Sequence, residues 1–398
     1  MAKRPTKMTE PAHSLMYTPG SLAAGKTFAD TNQLYAKVTP YLKDAFNEKQ
    51  ESLFHDAFGN RISLLWGPPG TGKTTVLAGT ILGWIEHYAE AGIPLRVGIG
   101  SSNYNAIDNV LNEVLELINR RTATVGALAC PVRVTRVRSD SSAPPLSDQI
   151  EDMPRTSARA QGFVNALNGD YPGIIIVGRT WQQLGRLAEK DHQDNEPTAE
   201  WFDLLVIDEA SQVQVAAAAA YFLLLKSDGH VVLAGDDRQL GPIYGFQMKD
   251  SVQGLFDCIF SYMKETHGIT PVQLKHNYRT NVEISAWPCK RFYKNEYEAF
   301  FPERKLDLAI NIDGRPADWP EQLPWSDQFL RILDPSCPVV VISYSANTYT
   351  LSNPFEAQIV SALTLLYKKL VDAQQAGVSA QEFWTQKIGI VTPHRAQM

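Results

Sequence analysis

The run Gly67, Pro68, Pro69, Gly70, Thr71, Gly72, Lys73, Thr74 and Thr75 narrows what this chain can fold into more than any other stretch. It fits the pattern G-x-x-x-x-G-K-[ST], a phosphate-binding loop, and both flanks suit it. Ile62, Leu64 and Leu65 before it read as a buried strand. Val76, Leu77, Ile81, Trp84, Ile85 and Tyr88 after it recur at helical spacing. The glycines let the backbone curl until its N–H groups face phosphate oxygens, and the helix N-terminus adds partial positive charge. Lys73 is placed to reach the β- and γ-phosphates, and the Thr74 hydroxyl to ligate magnesium. The ligand implied is a nucleoside triphosphate; a chance glycine-rich turn would lack the strand and the helix.

A strand, a loop and a helix of this kind belong to a larger alternation. Leu95 to Ile99 reads as the next strand, and Ser101, Ser102 and Asn103 form the turn at its carboxyl end. Ile107, Val110, Leu111, Val114, Leu115 and Ile118 then stripe one face of a helix. Open α/β sheets bind ligands at strand carboxyl ends, so Ser102 and Asn103 are site candidates; N-capping of the helix is the other reading. Val132 to Val137 alternates as a strand, and Ile174 to Val177 is a buried one with Gly178, Arg179 and Thr180 at its end. Phe202 to Ile207 is an apolar strand closed by Asp208 and Glu209, a Walker-B arrangement. There the first carboxylate completes a magnesium shell and the second orients or deprotonates water. Val231 to Ala234 is a further strand, running into Gly235, Asp236, Asp237, Arg238, Gln239 and Leu240. The whole describes a parallel sheet covered on both faces.

Composition excludes several classes. The chain has 398 residues, enough for two cores, and its net charge of −6 rules out coating nucleic acid by bulk charge while leaving room for a local basic groove. Cys130, Cys258, Cys289 and Cys337 form no C-x-x-C pair, which argues against zinc and a disulfide framework and suits a reducing cytosol. No apolar segment follows the basic start, and Val213 to Leu225 is too short to span a bilayer, so a cytoplasmic protein without membrane contact is expected. Residues 1–44 read as a loose arm, 45–270 as the nucleotide-binding domain with an inserted segment at about 121–200, and 271–398 as part of a second α/β domain. In the latter, 338–342 and 388–391 read as strands, and Asn353, Pro354 and Glu356 as a helix start.

Taken in order, these landmarks resemble the motifs of superfamily 1 helicases, in the 5′-to-3′ branch that contains the nonsense-mediated-decay RNA helicase and its bacterial relatives. Asn47 and Gln50 look like the motif that recognises adenine; Ser102–Asn103 with Ala106 to Asn109 is similar to a nucleic-acid backbone contact. Asp208-Glu209-Ala210-Ser211-Gln212 is spelled as in this branch. Gln239 occupies the position of a γ-phosphate sensor. Asn277-Tyr278-Arg279 matches the segment whose tyrosine stacks on adenine and whose arginine reaches the γ-phosphate. Thr180, Thr392 and Pro393 match strand-contacting positions. The resemblance implies a P-loop NTPase of two RecA-like parallel-sheet domains, the second incomplete, using ATP and Mg2+. It implies Lys73, Glu209, Gln239 and Arg279 as catalytic, Thr74 and Asp208 as metal ligands, and single-stranded DNA or RNA as the partner.

Three departures qualify the match. Gly241-Pro242 stands where Pro-Pro is commoner; the segment before Asn47 is too short for the β-barrel of some relatives; and two further motifs that relatives carry after Gln397 are not in these residues. Losing one arginine at a transferring phosphoryl group costs on the order of 10³-fold. The expectation is therefore a helicase or translocase with weak turnover as this chain stands. A nucleotide-gated binding or regulatory module without motor activity is the alternative.

Overall fold

In the computed structural model, residues 11–22, 25–138, 145–154, 159–180, 200–242, 257–305, 307–345, 351–375, 377–392 and 395–397 are described. The chain divides into two units, Met1–Arg279 and Thr280–Met398.

The first unit is built on one all-parallel sheet. Its strands are β1 (Ile62–Trp66), β2 (Leu95–Ser101), β3 (Val132–Arg138), β4 (Glu151–Pro154), β5 (Ile174–Thr180), β6 (Phe202–Ile207), β7 (Leu225–Gly235) and β8 (Val272–Gln273). They lie in the order β4-β3-β5-β2-β6-β7-β1-β8. The central strands β1, β2, β5 and β6 are buried along their whole length, which is why they read as continuous apolar runs rather than as alternation. Helix α1 (Ala12–Tyr17) and α2 (Thr31–Val38) precede the sheet; α3 (Glu48–Gly59), α4 (Lys73–Ala91), α5 (Tyr104–Val125), α6 (Arg159–Asn165) and α7 (Val215–Phe222) cover its faces. Phe54, Phe58, Trp84, Ile85, Val110, Leu111 and Val114 form the core on the α3–α4–α5 side. Phe54 packs tilted on Phe58 at a ring separation of 5.0 Å, and Phe58 stacks on Trp84 at 5.6 Å. On the other face Tyr221 of α7 lies against the bare backbone of Gly100, where a Cβ would come within 2.6 Å of the ring.

Three expectations about this unit change. The segment 1–44, expected to be loose, contains two docked helices among its described residues. Ala12, Leu15, Leu34 and Val38 are buried, Tyr262 Oη and His267 Nε2 bond the Met16 carbonyl at 2.9 and 3.0 Å, and Lys26 bridges Asp203 and Asp228. These partners come from remote sequence, so no local signal announces them. The segment at about 121–200, expected as an insertion, supplies strands β3, β4 and β5 to the same sheet. Buried Arg136 is tied there by Asp108 and Asp152 at 2.6 and 2.7 Å. The unit boundary also falls later than residue 270, because β8 pairs with β1 (Leu65 opposite Val272) and carries 276–279 with it.

The second unit packs Trp319, Phe329, Ala362, Leu366 and Leu370 around α9 (Pro354–Gln374), with α8 (Val282–Phe292) preceding it. Asn353 caps α9 as its sequence suggests, its Oδ1 accepting the amides of Phe355 and Glu356 at 3.1 and 3.3 Å. The runs 338–342 and 388–391, expected as strands, pair with nothing among the described residues; Val341 is 86% and Val391 95% exposed. Aliphatic β-propensity needs neighbouring strands to act on, and among the described residues these runs have none. Among the described residues no helix is long and apolar enough to cross a membrane.

Candidate nucleotide site and nucleic-acid edge

The strand order brings the scattered motifs to one edge of the first unit. Strands β6, β7, β1 and β8 are consecutive neighbours spaced about 4.8 Å apart. Their carboxyl ends therefore gather Asp208–Glu209, Asp236–Gln239, the loop 67–73 and residues 277–279 within the width of a nucleotide. Backbone bonds lock the set: Gly67 N–H to Gly235 O at 3.2 Å, Leu274 N–H to Trp66 O at 2.8 Å, and Tyr278 N–H to Gly70 O at 2.8 Å.

The loop has the shape its glycines foretell. Gly70 and Gly72 take φ of 81° and 83°, a region that costs an L-residue roughly 1–2 kcal/mol. Both also lack room: a Cβ on Gly70 would fall 2.6 Å from Arg279 Cβ, and one on Gly72 2.8 Å from Gln50 Nε2. Thr71 Oγ1 donates to Pro68 O at 2.8 Å and braces the curl. Lys73 opens α4 and turns its ammonium back onto the Gly67 carbonyl at 2.7 Å and the Pro68 carbonyl at 3.4 Å. Thr74 and Thr75 follow in the first turn, half-buried.

The carboxylates sit one strand beyond β7. Burial drives the Asp208 carboxyl up from 3.8 to about 6; the neighbouring Glu209 pushes the same way and the Lys73 ammonium opposes it. Asp208 Oδ1 accepts the Glu209 amide at 2.9 Å. Glu209 adopts φ 51°, one of few non-glycine residues with positive φ among those described, and its Oε2 is buried with no partner. A strained backbone holding an unmatched carboxylate oxygen is stability forgone where chemistry needs it. A hydroxyl and a carboxylate are oxygen donors of the kind a hard divalent cation takes, so Thr74 and Asp208 are the candidates to hold magnesium. Gln239 is held at this edge by Asp236, Nε2 to Oδ2 at 2.9 Å.

At the other end of the loop, Asn47 caps α3 and donates through Nδ2 to Tyr278 Oη at 3.0 Å; Gln50 Nε2 donates to Thr71 O at 3.4 Å. Arg279 is exposed, with its amide bonded to Asn277 Oδ1 at 2.8 Å. The site residues expected around a triphosphate thus all belong to one unit and one edge. Sequence reasoning missed the support under it. Trp66 Nε1 donates to Asp237 Oδ1 at 2.6 Å, and the same carboxylate takes the Lys264 ammonium. The only hint was a second aspartate in Gly235-Asp236-Asp237.

The expected nucleic-acid contacts divide. Ser102 and Asn103 follow the end of β2, and Thr180 ends the adjacent β5, with Ser101 opposite Thr180 in register. Asn103 is the N-cap of α5, its Oδ1 accepting Ala106 N–H at 2.9 Å, while Ser102 Oγ donates to Gln212 Oε1 at 3.2 Å. Thr180 is buried. Beside it Arg179 is fully buried with no acceptor for any guanidinium nitrogen, and burial lowers its pKa well below the ordinary value. Thr392 lies in the second unit, and Pro393 falls outside the described residues.

Two family models, each described as an AAA domain, match residues 50–246 and 255–398. The chain is 28% identical over 366 residues to a regulator of nonsense transcripts 1 homolog of Neurospora crassa, covering 88% of this chain and 30% of that one. It is 24% identical over 365 residues to the DNA-binding protein SMUBP-2 of Mus musculus, covering 85% and 34%. It is 24% identical over 376 residues to the ATP-dependent helicase NAM7 of Saccharomyces cerevisiae, covering 88% and 34%. The chain thus spans about a third of the length of these curated relatives. Most of the sequence falls within the two matched domains, and the order of motifs along the sheet edge agrees with them: this chain belongs to the superfamily 1 helicases.

Proposed function

We propose that this chain binds ATP with Mg2+ at the β6–β7–β1–β8 edge and couples its hydrolysis to movement on single-stranded DNA or RNA. The observation that carries the reading is the convergence of the 67–73 loop, Asp208–Glu209, Gln239 and Tyr278–Arg279 on neighbouring strand ends. Thr74 and Asp208 would hold the magnesium ion, which would offset negative charge on the phosphate oxygens. The chain's own groups do the rest. Lys73 exchanges its two loop carbonyls for phosphate oxygens. The Glu209 oxygen without a partner accepts a hydrogen bond from the attacking water and then its proton. Gln239, released from Asp236, and Arg279 stabilise charge spreading over the transferred group. Ser102, Asn103 and Thr180 serve as contacts to the strand's phosphates, and the Ser102–Gln212 bond joins that region to the segment bearing Glu209. Such contacts are indifferent to base sequence, as a translocating enzyme requires.

The test is ATP turnover by this chain with and without single-stranded RNA and DNA, beside Glu209→Gln. Stimulation by strand that disappears in the variant supports the proposal. Strand binding that responds to ATP, with no turnover in either protein, would replace it with a nucleotide-gated binding module.

A further inference from the structure

We propose that Tyr221 is a positioning residue that ties the strand-contacting ends of β2 and β5 to the segment bearing Glu209, so that nucleotide and single strand act on one another through its hydroxyl. The proposal rests on the reading that ATP binds at the β6–β7–β1–β8 edge and a strand at Ser102, Asn103 and Thr180. Tyr221 follows a run of five alanines in α7 and is fully buried. Its ring lies on Gly100, the position before Ser101, where a Cβ would meet the ring at 2.6 Å. Its hydroxyl accepts the Ser101 amide at 3.2 Å and shares its proton between the Arg179 carbonyl at 3.0 Å and the Ser101 carbonyl at 3.2 Å. Ser101 and Thr180 are the last pair of the β2–β5 ladder. One oxygen thus spans the two strands at the point where the chain turns off towards Ser102 on one side and reaches Thr180 on the other. Burial holds the phenol well above its ordinary pKa, so it stays a donor.

The other end of α7 leads to the nucleotide site. The turn Ala210–Gln212 follows Glu209 directly, and Gln212 N–H donates back to the Glu209 carbonyl at 2.8 Å. Ser211 Oγ accepts the Asp236 amide at 3.3 Å, and a Cβ on Gly235 would fall 2.9 Å from the Ser211 nitrogen. The turn therefore rests on the start of the segment that carries Gln239, and α7 begins at Val215, just beyond it. A displacement of Glu209 or Gln239 as the nucleotide site fills passes along this backbone to Tyr221, and from its hydroxyl to the ends of β2 and β5. The second link between the two regions, Ser102 to Gln212, is exposed, and water replaces either partner at little cost. The Tyr221 bonds are buried away from water, which makes them the stiffer path.

The experiment measures binding of oligo-dT and oligo-U to the full chain with and without magnesium and a non-hydrolysable ATP analogue, and of the analogue with and without strand. It is run on wild type and Tyr221→Phe. In the wild type each ligand should change the other's affinity by the same factor, roughly 5- to 150-fold. Tyr221→Phe keeps the ring on Gly100 and loses the hydroxyl. Each ligand alone should then bind about as in the wild type, while the mutual factor falls towards one. A mutual factor that survives in Tyr221→Phe overturns the proposal. So does a variant that loses both affinities in step with a lowered urea midpoint while the factor holds, since Tyr221 is then structural only. Amide exchange at Ser101 in the wild type decides the matter if the variant does not fold: the analogue without strand should change its rate, and an unchanged rate overturns the proposal. Failure of the underlying reading looks different and takes the proposal with it: the wild type itself binds no nucleotide or no strand, or binds both with no mutual effect.

Discussion

Asp208→Asn should make the nucleotide-free protein more stable. The carboxyl of Asp208 is buried beside Glu209 and titrates at about 6 rather than 3.8. A carboxylate whose folded pKa is raised favours folding only while protonated. Its contribution is fully present below 3.8 and is lost as pH rises through about 6. At about 1.4 kcal/mol per tenfold, the ionised group costs the folded state about 3 kcal/mol at pH 8, and roughly half that at pH 5. Asparagine carries no charge, is of similar shape, and its Oδ1 keeps the bond from the Glu209 amide. Urea unfolding of both proteins at pH 8 and pH 5 measures the gap directly. The variant should be the more stable at pH 8, with the difference shrinking at pH 5. Magnesium and ATP at a thousandfold excess over Kd should then reverse the order at pH 8, because only the wild type gains about 4.1 kcal/mol. A variant less stable than wild type at pH 8, or a gap that does not change with pH, would refute the electrostatic argument.

Other outcomes follow from the same geometry. Gly70→Ala puts a Cβ at φ 81° against Arg279 and should weaken nucleotide binding by at least tenfold in a titration, with stability lowered by about 1–2 kcal/mol. Trp66→Phe leaves the Asp237 carboxylate with Lys264 but without its indole donor, which should cost about 1–3 kcal/mol by denaturant unfolding. Glu209→Gln should retain ATP affinity while lowering turnover by about 10²-fold or more in a phosphate-release assay.

Much of this was legible in the sequence because it is local. The 62–88 strand, loop and helix carry their own periodicity, and the caps at Asn47, Asn103 and Asn353 announce their helices within a few residues. What was illegible depends on remote partners. Helices α1 and α2 look like an arm until Tyr262, His267 and Asp228 are brought to them. Trp66 and Asp237, far apart in the chain, meet because β1 and β7 are neighbours. The error at 338–342 and 388–391 has the same root: a strand is a relation between segments, and sequence shows one segment at a time. Ser102 and Asn103 illustrate an ambiguity that structure divides, since Asn103 is a cap while Ser102 reaches across to Gln212.

The central claim is that residues from four strand ends share one triphosphate, and calorimetric titration of Mg·ATP into wild type, Lys73→Ala and Arg279→Ala addresses it most directly. A single site is expected, weakened about a hundredfold or more in the first variant and at least tenfold in the second, as for charged hydrogen bonds to phosphate. Binding of undiminished affinity in both variants would mean that the triphosphate does not lie where these residues meet.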